Sequence, residues 1–163
     1  MKLNSKTNIE QLAEWIDEWQ EQLFRYAFFR LGNRSDAEDV VQEAFLKVAS
    51  ATLKPDNPKA YLFRIVANRS IDILRERSRL TTLEERIAAP SASDDWEAQE
   101  EYRRIEQLLR RLPEQQSEVI RLHLHGECTF AEIADILETP LATVKSRYRY
   151  GIEHLRKGLQ NKI

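Results

Sequence analysis

Apolar residues along this chain recur at steps of three and four and nowhere alternate over the length of a strand, so the pattern predicts helices throughout. A first helix spans about residues 9–31 and is closed by Gly32-Asn33, which reads as a C-terminal cap. Ser35-Asp36-Ala37-Glu38 fits a capping box that opens the cleanest helix in the chain. There Ala37, Val40, Val41, Ala44, Phe45 and Val48 fall on one core face, and Glu38, Asp39, Gln42, Glu43 and Lys47 fall away from it. The resulting outer face is largely acidic. Residues 51–57 are rich in turn formers, and Asn57-Pro58 supplies a cap with proline in the first helical turn. The following helix, 58–79, carries a polar stripe beside its apolar one. Arg64, Asn68, Asp72 and Arg75 are spaced four, four and three apart and share one narrow sector.

The C-terminal third repeats the helical pattern in shorter pieces. Leu112-Pro113 marks the entrance to a scaffold helix whose expected core residues are Val119, Ile120, Leu122 and Leu124. Thr129-Phe130-Ala131-Glu132 fits a capping box, Phe130, Ile133, Ala134 and Leu137 give the core face, and Glu138-Thr139-Pro140 supplies the stop. A last helix follows, with Val144, Tyr148, Ile152, Leu155 and Leu159 as its buried stripe. Lys145, Ser146, Arg149 and Tyr150 then face outward, with Thr143 and Arg147 at the flank. Two short helices joined by a tight turn, the second presenting cations and hydrogen-bonding groups, read as a helix-turn-helix. DNA is therefore the expected partner, by phosphate and major-groove contacts.

Composition sharpens this picture. The chain has 163 residues, 42% hydrophobic and 32% charged, with four glycines, five prolines and one cysteine. It can bury one or two small cores without disulfides, and the fold class is all-α. A formal net charge of −2 hides a strong asymmetry. Residues 80–101 hold Glu84, Glu85, Asp94, Asp95, Glu97, Glu100 and Glu101 against Arg86 alone, whereas residues 145–163 hold six basic residues against Glu153. With Ala88-Ala89-Pro90-Ser91-Ala92-Ser93 inside it, 80–101 reads as a flexible acidic linker between two small helical domains, 1–79 and 102–163. No apolar run has the length of a signal peptide or a membrane span, so cytoplasmic residence and no membrane insertion are expected. Trp15 and Trp19, four apart, are expected to serve a helix core.

Taken together the two halves resemble a bacterial RNA polymerase sigma factor of the extracytoplasmic-function type, which keeps only sigma regions 2 and 4. The resemblance rests on residues 35–48, SDAEDVVQEAFLKV; on 61–72, YLFRIVANRSID; on Leu112-Pro113; and on Thr143-Val144-Lys145-Ser146-Arg147, in this order and with a linker between. It implies a non-enzymatic initiation factor that binds core polymerase, directs it to promoters and helps melt the −10 element. It implies that Asp39, Gln42 and Glu43 dock on the clamp coiled coil of the polymerase. Asn68 matches a position that lines a pocket for a flipped base of the melted −10 strand, with Arg64, Arg69 and Arg75 near the DNA backbone. Lys145, Ser146, Arg149 and Tyr150, with Thr143 and Arg147 beside them, match positions that meet the double-stranded −35 element. The resemblance also admits an anti-sigma partner. Two departures bear on the −10 base: Tyr61 stands where the family usually has tryptophan, and the loop 54–59 is short and lacks an aromatic.

An alternative is a transcription factor of the response-regulator type, since Glu118-Val119-Ile120 and Thr143-Val144-Lys145 occur at similar spacing there. Such proteins place an α/β receiver before the helix-turn-helix, and residues 1–79 show no strand runs. His123, His125 and Cys128 lie close together, but their spacing is not a usual zinc pattern and a fourth ligand is missing. The expected roles are a small buried thiol and histidines capping a helix end before Gly126. No nucleophile with a base, and no phosphate-cradling glycine loop, stands out. Catalytic residues, metal ligands and cofactors are therefore not expected.

Overall fold

The computed structural model describes residues 8–52, 54–80 and 96–160, with the side chains of 96–99, 101 and 102 excepted. Seven helices lie in these residues and no strand: α1 (Asn8–Leu31), α2 (Arg34–Ala49), α3 (Pro58–Leu80), α4 (Trp96–Arg110), α5 (Glu114–Leu124), α6 (Phe130–Leu137) and α7 (Leu141–Gln160). The chain divides into two compact units, Met1–Pro90 and Ser91–Ile163. Most of the expected linker, 81–95, lies outside the described residues, and α4 begins at Trp96, inside the stretch read as linker. An α/β receiver, as the alternative required, is not what the first unit contains: α1, α2 and α3 pack on one another as a helical bundle.

The bundle forms because each helix has one continuous apolar face. Ala37, Val40, Val41, Ala44, Phe45 and Val48 of α2 are all buried, as the periodicity requires. They meet Leu23, Tyr26 and Ala27 of α1 and Leu62, Phe63 and Val66 of α3, where the Tyr26 and Phe63 rings stand edge to face at 6.2 Å. Each valine, leucine or phenylalanine side chain so removed from water contributes about 1.5–3 kcal/mol. Gly32, at φ 71°, ends α1 in the left-handed region and donates its N–H to the Phe28 carbonyl. The start of α2 differs from the capping box read at Ser35. Asn33 is the N-cap, its Oδ1 accepting from the Asp36 N–H at 2.9 Å. Asp36 in turn pairs with Arg77 of α3, which also donates to the Leu31 carbonyl at 2.8 Å. Trp15 and Trp19 are half-buried and stacked on each other, with centroids 6.3 Å apart.

The second unit is built around α5. Six consecutive residues, Ser117 to Leu122, are buried, so the middle of this helix is enclosed on every side and has no single core face, while Glu114, Gln115 and Leu124 at its ends are exposed. The enclosure ends at Leu122, and Leu124, counted as core from periodicity, is 49% exposed at the helix end. Within the enclosure Arg121 is only 2% exposed; it donates to Glu106 Oε2 of α4 at 2.9 Å and to Ser117 Oγ at 3.2 Å. A buried ion pair therefore joins α4 to α5.

Candidate interaction surfaces

On α2 the three residues read as a docking face point away from the core: Asp39 and Gln42 are exposed and Glu43 half-buried. Glu43 is held from the neighbouring helix, its Oε2 lying 3.3 Å from Arg69 Nε of α3. Arg64 is half-buried and Asn68, Asp72 and Arg75 exposed, so these four form an accessible stripe along α3. Arg69 stands apart from them. One residue beyond Asn68, it is turned by about 100° toward α2, and its guanidinium faces a carboxylate rather than the stripe. Tyr61, near the start of α3, is half-buried, and the helix is capped by Asn57, whose Oδ1 accepts from the Ala60 N–H at 3.1 Å.

The helix-turn-helix is assembled from caps, a turn and an aromatic cluster. Thr129 caps α6: its Oγ1 accepts from the Glu132 N–H at 3.1 Å and the Glu132 carboxylate accepts from the Thr129 N–H at 2.8 Å. Glu138 closes the helix at φ 52°, a left-handed conformation that costs a residue with a Cβ about 1 kcal/mol. The Thr139 N–H then returns to the Ala134 carbonyl at 3.0 Å, and Pro140 accepts from the Val144 N–H at 3.1 Å as α7 begins. This short turn fixes the direction in which α7 leaves.

Three rings lock α7 onto the rest of the unit. His123 of α5 stacks on Phe130 of α6 at 4.6 Å and meets Tyr148 of α7 edge-on at 5.0 Å, while Phe130 and Tyr148 lie 5.0 Å apart. His123 Nδ1 donates to the Cys128 carbonyl at 2.9 Å. This differs from the helix-capping role expected for both histidines: only His125 occupies the C-cap of α5. Cys128 is buried, its thiol 3.7 Å from the Gly126 carbonyl. Among the described residues no group of His, Cys, Asp and Glu side chains is arranged to hold a metal ion.

Glycine completes the contact that sequence periodicity missed. A Cβ on Gly151 would lie 2.7 Å from Ile120 Cδ1, so α7 approaches α5 closely enough that any side chain there would displace the tip of the buried Ile120. Seven residues on, a Cβ on Gly158 would lie 3.0 Å from Leu108 Cδ2 of α4. The seam at the end of α7 thus runs through Gly158, and Leu159, read as core, is turned out and 47% exposed.

The outer face of α7 carries the cations. Lys145, Arg149 and Tyr150 are exposed, and Thr143, Ser146 and Arg147 half-buried, whereas Val144 on the opposite face is fully buried. The Arg149 guanidinium lies over the Tyr150 ring, 5.2 Å from its centroid. A positive, hydrogen-bonding helix face backed by a fixed core can enter a DNA groove. Nothing in the described residues is long and apolar enough to cross a membrane as a helix.

Comparison with known proteins agrees with this division. Residues 15–80 match sigma-70 region 2 and residues 102–155 match sigma-70 region 4. The extracytoplasmic-function sigma factor SigW of Bacillus subtilis is 29% identical over 99% of this chain and 95% of its own length. SigK of Mycolicibacterium vanbaalenii is 30% identical over 95% of this chain and 85% of its own. Among solved structures, RpoE of Bartonella quintana in complex with the anti-sigma factor NepR has the same fold, with a TM-score of 0.65 at 20% identity, covering 94% of this chain and 99% of that one. The chain belongs to the sigma-70 family, in its extracytoplasmic-function class: it is a sigma factor that binds core RNA polymerase and directs transcription initiation to promoters.

Proposed function

We propose that the two units divide this task, the first docking on polymerase and engaging the melted −10 strand, the second reading the −35 duplex. The observation that carries the proposal is the outer face of α7, where exposed cations stand opposite a core closed by Val144, the aromatic cluster and Gly151. Lys145 and Arg147, near the start of the helix, suit phosphate contacts. Arg149 and Tyr150, further along, suit base edges, with Thr143 and Ser146 contributing hydroxyls. In the first unit Asp39, Gln42 and Glu43 form the docking face toward the clamp coiled coil. Asn68 holds an unstacked base, with Arg64 and Arg75 beside it on the backbone path. Arg69 sits on the border of these two surfaces, and it reaches DNA by exchanging Glu43 for phosphate.

The protein acts by binding and positioning, without a catalytic group of its own, inside the cell where the polymerase is. An anti-sigma factor is a natural regulator, as the Bartonella relative is held by one. The test is whether promoter recognition needs the polymerase. Purified chain with core enzyme should give specific transcripts and promoter complexes, while the chain alone should leave the promoter unshifted at physiological salt. A specific shift by the chain alone, with no association with core enzyme, would point instead to a freestanding helix-turn-helix regulator.

A further inference from the structure

Glu153 is the one acidic residue of α7, and neither core packing nor phosphate binding accounts for it. It is exposed and stands nine residues after the fully buried Val144, which on a helix of 3.6 residues per turn is half a turn round. Glu153 therefore points straight out from the middle of the outer face. Ser146, Arg149, Tyr150 and Glu153 fall at steps of three, one and three and lie within a sector of about 100°. That is a spacing with which a recognition helix in the major groove sets four side chains against base edges. The helix is held at this level, since His154 Nδ1, one residue on, lies 3.2 Å from Gln116 Oε1 of α5. Arg149, one turn before Glu153, lies over the Tyr150 ring, and among the described residues no cation pairs with the Glu153 carboxylate.

A carboxylate on a cationic face that approaches a polyanion weakens the phosphate contacts around it, and helix propensity gives no reason for glutamate over alanine at an exposed site. A penalty that falls on all DNA alike is offset only by a gain on particular sequences. We propose that Glu153 is a specificity-determining residue of −35 recognition, its carboxylate accepting a hydrogen bond from the N4 amino group of a cytosine in the major groove. Cytosine follows from the chemistry of the base edges: its major-groove edge is a donor alone, whereas the adenine amino group stands beside an N7 acceptor that repels a carboxylate. This rests on the reading role given to α7 above. Four residues beyond Arg149, or about 6 Å along the helix, Glu153 reaches a base pair about two steps from the one that Arg149 meets.

The experiment transcribes a promoter library randomised at −35 with holoenzyme carrying the full chain or its variants. Glu153→Ala should relax the preference for cytosine at one position by about fivefold or more, the lower end of what a good base contact contributes, and leave the other −35 positions unchanged. Its melting temperature and its affinity for core polymerase should stay those of the parent, because the side chain is exposed. Glu153→Gln should move the preference at that same position to adenine, whose N6 and N7 a carboxamide meets with both its groups. If Glu153→Ala changes transcription from all −35 sequences alike or not at all, or relaxes a position where the parent does not favour cytosine, the assignment is overturned. In that event Arg149→Ala, still relaxing its own base pair in the same library, shows that α7 reads the duplex without Glu153. If neither variant changes any −35 preference, α7 is not the reading helix and both ideas fall.

Discussion

The two units reach the same end, a functional helix face held in a defined direction, by opposite means. In the first, α2 and α3 are long helices with complete apolar stripes, and their outer faces are what remains once Val40, Phe45, Phe63 and Val66 have found the core. In the second, α7 is aimed by specific contacts that burial alone would not select, a glycine seam and a capped eight-residue helix closed by a left-handed Glu138, on a scaffold whose α4 and α5 are joined by a buried ion pair. A face produced by bulk patterning tolerates conservative change. One produced by particular contacts does not, so the second unit should lose its function to single substitutions that the first would absorb.

The sharpest break falls on the buried pair. Arg121→Met removes the buried partner and leaves the enclosed Glu106 with only the exposed Arg110, whose Nε lies 3.5 Å from its Oε2, so it should destabilise the second unit by up to about 3–5 kcal/mol. Arg121→Met combined with Glu106→Leu should recover most of that loss, because an apolar pair of similar volume needs no desolvation of charge. Urea unfolding followed by near-ultraviolet circular dichroism reads both. Equal losses in the single and double variants would mean that packing, and not the loss of the buried cation beside Glu106, governs the site.

A smaller effect is expected at the seam. Gly151→Val should drive α7 away from Ile120, cost about 1–3 kcal/mol and weaken −35 binding of the holoenzyme. Its affinity for core polymerase through the first unit should be unchanged, which distinguishes a re-aimed helix from a generally damaged protein. Smaller still, Thr129→Ala removes the side-chain half of the α6 capping box, leaving the backbone N–H that donates to Glu132, and should cost about 1 kcal/mol, measured as a lower unfolding midpoint. If Asn33→Ala in the first unit costs as much in −35 binding as Thr129→Ala, the contrast between the units fails.

The same contrast decides what was legible in the sequence. For α2 the six core residues and the outward acidic face follow from spacing alone, because a two-sided helix imposes its period on every position. Its N-cap was misplaced by two residues: Ser35 and Asn33 are both capping types, and only the tertiary pull of Arg77 on Asp36 shows which turn comes first. For α5 the stripe reading failed at Leu124, because the packing that encloses Ser117 to Leu122 stops short of the last residue of the helix. Arg121 and Glu106 were missed because they are partners fifteen residues apart, and a pair of charges at that distance carries no local signal. Gly151 and Gly158 left a fainter trace, two of the chain's four glycines seven apart on one helix, which a search for apolar residues passes over. On the face proposed to meet DNA, Thr143, Lys145, Ser146, Arg147, Arg149 and Tyr150 are all exposed or half-buried, whereas Val144 is buried.

The division of labour itself is tested most directly by transcribing a promoter library, randomised separately at −35 and −10, with holoenzyme carrying Arg149→Ala or Asn68→Ala. Arg149→Ala should relax preference at one −35 position by about 1–3 kcal/mol and leave the −10 preference as it was. Asn68→Ala should lower open-complex formation, seen as permanganate reactivity of −10 thymines, and leave the −35 preference intact. A uniform loss across all −35 sequences with Arg149→Ala, or a −35 change with Asn68→Ala, would contradict the assignment of one element to each unit.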